Sequence, residues 1–148
     1  MSRRLIIKII LLVAVLSSAP DLYAGTIAVI VNEAGPLTLI SRVEVKDIYL
    51  GNLRFKDNVR VLPLNYREGA VKGAFLSSVL GMRPKEYRRY WMTKSFQEGI
   101  ILPKPKKNYR DIIAQVKRTP GAIGYLPESE LGEITGVRTI VTIEAGGP

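Results

Sequence analysis

The chain has 148 residues, a formal charge of +9, and neither histidine nor cysteine. Those absences exclude a Ser-His-Asp triad, a thiol nucleophile, an imidazole base and His- or Cys-ligated zinc. No motif places a carboxylate pair, a Walker loop or a GxGxxG turn, so no catalytic, metal or cofactor site is expected.

The first residues, "MSRRLIIKIILLVAVLSSAPDLYA", read as a secretory signal. Arg3, Arg4 and Lys8 form its basic start, the apolar run ends at Leu16, and Ala24 closes a small-residue cleavage site. The run falls short of the about 20 apolar residues that span a bilayer, which ranks a retained anchor second. Residues 1–24 are thus expected to be a signal and 25–148 one domain exported to a periplasm. Three basic residues and Asp21 leave with the signal, and the charge falls from +9 to +7. Without cysteine, packing alone must hold the domain.

"TIAVIVN", Thr26 to Asn32, is a run of apolar and β-branched residues that predicts a central strand buried on both faces. A loop with Gly35 and Pro36 leads to Ser41, which with Glu44 forms a capping box that starts a helix bearing Val45, Ile48 and Tyr49. "NVRVLPLNY" predicts a second strand. Val71, Phe75, Leu76, Val79 and Leu80 recur at helical spacing between Glu68 and Gly81. Pro84 opens another helix carrying Tyr87, Tyr90, Trp91 and Phe96 as far as Gly99, and the two helices are expected to form a hairpin. "IILPKPKKN" is an extended basic linker. Asn108 caps a helix with Ile112, Ile113 and Val116, and "TPG" ends it before the strands "AIGYL" and "VRTIVTIE". In "TPGAIGYLPESE", Gly124 is expected to allow close backbone approach. Strands alternating with helices imply a layered α/β sheet with some parallel pairing.

Two helix starts present backbone donors to an anion. One lies at Ser41 and the other in "NYREGA", Asn65 to Ala70, although from the residues alone simple capping and turning are the preferred explanation of both. The basic cluster of Arg83, Lys85, Arg88 and Arg89 with Lys104, Lys106, Lys107 and Arg110 reads first as a solvated face. Nucleic acid is not expected as a partner of an exported chain, and attraction to an anion or to anionic lipid headgroups is the weaker functional alternative.

"VKDIYLGN", "VLPLNYREGAVKGAF", "VLGMRPKEYRRYW" and "VKRTPGAIGYLPES", in this order, resemble the second lobe of periplasmic phosphate-binding proteins of ABC transporters, closest to their small single-domain relatives. The resemblance implies a type II periplasmic-binding-protein-like single lobe with a mixed, mainly parallel sheet flanked by helices. It also implies recognition of a small anion such as phosphate, with an ABC permease or another envelope protein as partner. Ser41, Arg67, Glu68 and Gly69 are the ligand-binding residues it points to, with Tyr125 lining the cleft. In the family the corresponding turn carries Ser and Thr hydroxyls, whereas no Ser or Thr lies between Asn65 and Leu76 here. A dehydrated phosphate needs many donors. Low-affinity binding, binding across a homodimer, and a cell-envelope interaction module that has lost high-affinity binding all stay open. An enzyme ranks behind them.

Overall fold

The computed structural model describes residues 22–100, 102 and 105–146. Most of the expected signal lies outside that range. Strand β1 (Gly25–Asn32) forms where the apolar run predicts it, and Ile27 to Val31 are wholly buried on both faces. The loop after it reaches α1 (Arg42–Tyr49), whose start carries the predicted capping box.

The expected strand over "NVRVLPLNY" divides. Asp57 and Asn58 both adopt left-handed backbone, with φ of 50° and 63°, and join β2 (Phe55–Lys56) to β3 (Val59–Arg60) in a small hairpin. Two successive left-handed residues match the twist of a tight hairpin, and Asp and Asn tolerate them. Only β4 (Leu62–Pro63) joins the main sheet.

Helix α2 (Ala70–Phe75) runs into a π-helical turn, Leu76–Leu80, which Gly81 ends in left-handed conformation. Helix α3 (Pro84–Glu98) begins with proline in its first turn and stops at Gly99. It is anchored on α1 rather than on α2 as the expected hairpin would have it. The Tyr87 hydroxyl and Trp91 Nε1 both donate to the carbonyl of Tyr49, at 2.9 and 3.2 Å, and the Tyr90 hydroxyl donates to Leu50 at 2.7 Å. Burial pushes the Tyr87 phenol up to about 12, so it remains a neutral donor. Phe96, expected on the packed face, is 93% exposed. Five residues separate it from Trp91, which rotates it about 140° away around the helix.

Helix α4 (Tyr109–Arg118) is capped by Asn108, whose Oδ1 accepts from the Asp111 amide. Strand β5 (Ala122–Pro127), a short turn at Glu128–Glu130, and β6 (Val137–Ala145) complete the chain. Gly121 and Gly124 are required by close approach, since a Cβ on Gly121 would strike the carbonyl of Arg60 and one on Gly124 would strike Ile112. The backbone approach expected at Gly124 is thus the packing of α4 on β5.

The main sheet has the order β4-β5-β1-β6. Strands β4 and β5 pair in parallel, while β1 is antiparallel to both β5 and β6. Three of the four strands therefore point one way, as the α/β class implies, and the reversed β1 sits between two of them. The parallel pairing is confined to the β4–β5 contact. Asn32, at the end of β1, donates through Nδ2 to the carbonyls of Val116 and Lys117 and locks the end of α4 to the sheet.

Candidate functional site

Strands β5 and β6 end at the edge where β1 begins, because Ile27 pairs with Pro127 and Gly25 with Ala145, and β4 points the same way. Beyond β4 the chain continues toward this edge as Leu64, Asn65, Tyr66 and Arg67. Lys106 lies beside it: its amide donates to Asn65 O at 2.8 Å and its carbonyl accepts from the Arg67 amide at 2.9 Å. A residue from the far side of α3 thus holds the loop from which α2 starts.

Under the loop lies an aromatic platform. Asn65, which is buried, accepts through Oδ1 from its neighbour's amide at Tyr66 and from the Tyr125 hydroxyl. The Tyr66 hydroxyl donates to Tyr125 O at 3.0 Å, and the Tyr49 hydroxyl to Leu64 O at 2.8 Å. The Tyr125 ring stacks on Phe75 with centroids 3.7 Å apart. Burial raises the Tyr49, Tyr66 and Tyr125 phenols well above their ordinary value, which keeps them neutral donors rather than acid–base groups.

Tyr125 is wholly buried in this platform and does not line a cleft. Its place on the central face of β5, between Tyr66 and Phe75, outweighs its nearness to the strand's end. Arg67, Glu68 and Gly69 are consecutive and exposed on the loop above. The guanidinium of Arg67 has no ion pair or hydrogen bond among the described residues. Gly69 is the N-cap of α2, with φ of 112° and no side-chain cap. Lys72 reaches back so that Nζ donates to Arg67 O at 3.2 Å; burial first, and the Arg88 guanidinium second, lower its pKa.

Ser41 does not join this group. Its Oγ accepts from the Glu44 amide and the Glu44 carboxylate accepts from the Ser41 amide, which closes the start of α1 on itself. Arg42 donates to Ser78 O at 3.0 Å, which places the start of α1 beside the end of the helical segment that Gly69 begins. Nine residues of helical rise separate those two ends by about 14 Å.

The loop offers an anion one guanidinium, one ammonium and the first amides of α2, against the opposing carboxylate of Glu68. The residues that position it and are not expected as site residues from sequence are Asn65, Tyr66, Lys72 and Lys106, the last of which figures there only within the basic cluster. A polar Asn directly after an apolar strand is a detectable signal for the first. Lys106 has no local signal, because it emerges from a proline-rich linker. A groove of about 620 Å³ lies along the β4 edge, lined by Trp91, Leu62, Arg54 and Arg60 among others, and it borders the loop's support at Leu64 and Lys106. It includes none of the five expected ligand residues.

No family model matches the chain, and no curated protein matches it. Among solved structures sharing its fold, one from Clostridium perfringens is described as a phosphate ABC transporter substrate-binding protein with bound phosphate. It matches with a TM-score of 0.60 at 19% identity, covering 78% of this chain and 45% of that one. An ABC-type phosphate transport receptor from Vibrio cholerae matches with a TM-score of 0.60 at 11% identity, covering 83% and 57%. The likeness is one of fold, and the chain spans about half the length of each.

Proposed function

We propose that this chain is an exported, non-enzymatic solute-binding-like lobe that recognises a small anion, with phosphate the first choice, in association with an ABC transport system. The observation that carries the reading is the loop Arg67–Gly69. An unpaired guanidinium and an uncapped helix start stand together at the C-terminal edge of three co-directional strands. Ligands of open α/β sheets gather at such edges, and the fold is one in which a neighbour binds phosphate. The first expected cap, Ser41, is left out of this site because its amide donates to Glu44 and its Oγ accepts from the Glu44 amide.

The loop covers the anion from one side only and supplies no hydroxyl. Binding by the lone lobe is accordingly weak, with Kd on the order of millimolar, equivalent to about 4 kcal/mol. A second copy facing the loop would tighten it, and the observed affinity would then rise with chain concentration. Calorimetric titration with phosphate, sulfate and small carboxylates tests the reading. Arg67→Ala should weaken phosphate binding by about 1.5–3 kcal/mol, the value of a charged hydrogen bond, without changing stability. An unchanged affinity in that variant removes Arg67 from the site.

The second reading is an envelope interaction module that keeps the fold without high-affinity ligand binding. Glu68 beside Arg67, and the absence of Ser and Thr from Asn65 to Leu76, favour it. No heat with any anion up to millimolar concentration would leave this reading in place of the first.

A further inference from the structure

Helix α3 turns two different faces to its surroundings. Tyr87 and Trp91 are buried against α1. On the opposite side Lys85, Arg88, Arg89, Met92 and Phe96 are all exposed. At 3.6 residues per turn these five occupy an arc of about 100°, and no acidic residue falls within it. The three cations stand on the first turns. Met92 and Phe96, 67% and 93% exposed, stand on the last. Lys85 to Phe96 spans about 16 Å.

None of the three cations is in an ion pair among the described residues. Glu86, the nearest acid on the helix, lies outside the arc and is taken by Arg83 at 2.7 Å. Glu98 lies almost opposite it and faces Lys94 at 3.8 Å. Solvation alone accounts for three lysines and arginines on a helix. It does not account for two large apolar side chains, Met92 and Phe96, adjacent on the helix surface and both held largely in water at the end of the same row.

We infer that this face of α3 docks on an anionic lipid surface, the cations meeting headgroups and Phe96 with Met92 entering the interface. Each basic side chain near such a surface contributes favourably, and an exposed apolar tip gains by leaving water. A partner helix fits the row less well. An interhelical seam needs apolar residues every three or four positions along its length, whereas here they are confined to one end. The anionic surface supplies the charge the row lacks, and its apolar layer accepts the two side chains that none of the described residues covers.

The chain contains no cysteine, so Met92→Cys in the full chain accepts a polarity-sensitive fluorophore at that position alone. Vesicles of phosphatidylcholine are compared with vesicles of equal parts phosphatidylcholine and phosphatidylglycerol. The expected result is a blue shift on the anionic vesicles only, reversed by salt. Adding Arg88→Gln and Arg89→Gln should weaken that partition roughly thirtyfold. A label at Ala114→Cys, on the exposed side of α4, should stay in water. The apolar N-terminal run is present in every variant and contributes equally to each. The inference is overturned if the label at position 92 stays in water on anionic vesicles, if it shifts equally on both vesicle types, or if the double variant partitions as before. A shift without lipid as protein concentration rises would assign the face to a second copy instead. Arg67→Ala should leave the shift in place, so this inference and the anion-loop reading fail separately.

Discussion

The starts of α1 and α2 differ in sequence and, with it, in availability. At α1, Ser41 and Glu44 satisfy each other's backbone amides, and Lys56 binds the same carboxylate at 2.6 Å. At α2, Gly69 contributes no side chain, its backbone has φ of 112°, and the first amides stay open next to Arg67. Helix α4 follows α1, because Asn108 closes it. A helix start is thus a donor site only where the chain has not already capped it. The same local chemistry that makes a start easy to find in sequence, a Ser or Asn with an acid three residues on, is what uses it up.

The comparison can be broken most severely from below α2. Asn65→Ala removes the buried acceptor shared by the Tyr66 amide and the Tyr125 hydroxyl, leaving two buried donors unmatched. A loss of about 2–4 kcal/mol is expected in denaturant unfolding, along with loss of anion binding. Gly69→Ala is next. Its backbone lies in a region that L-residues seldom enter, although space for a Cβ is open, and a cost of about 1–3 kcal/mol or a shifted loop is expected. A retained fold with altered phosphate affinity would show that the open start depends on that one glycine.

Ser41→Ala sharpens the contrast from the other side. It should cost about 1 kcal/mol of stability and leave anion affinity unchanged, whereas a change in affinity would bring the closed start back into the site. The smallest effect is one of pH. The hydrogen bond from Lys56, followed by the Ser41 amide, lowers the Glu44 pKa. A lowered folded-state value means this contribution is present above the ordinary carboxylate range and is lost as pH falls through the folded value. Glu44→Gln should flatten that acid-side slope in thermal melts.

Much of the architecture is legible locally. The apolar run of β1, the Ser41–Glu44 box, Pro84 at the start of α3 and Asn108 at the start of α4 each depend on residues within a few positions of one another. Phe96 shows where residue type misleads: its aromatic character suggests the core, but its angle from Trp91 carries it to the outside. The hairpin at Asp57–Asn58 was present in the turn residues, yet strands of two residues are too short for an alternation pattern to display.

What the sequence by itself determined is most of the elements and their caps. Those features arise from hydrogen bonds and side-chain spacing over three or four residues, which no distant partner alters. Tertiary structure alone decided that β1 runs against its neighbours, that Tyr125 belongs to the platform beneath the loop, and that Lys106 holds the loop from beside it. Each of these depends on groups dozens of residues apart competing for one sheet edge or one buried acceptor, and that competition is settled only when the chain packs.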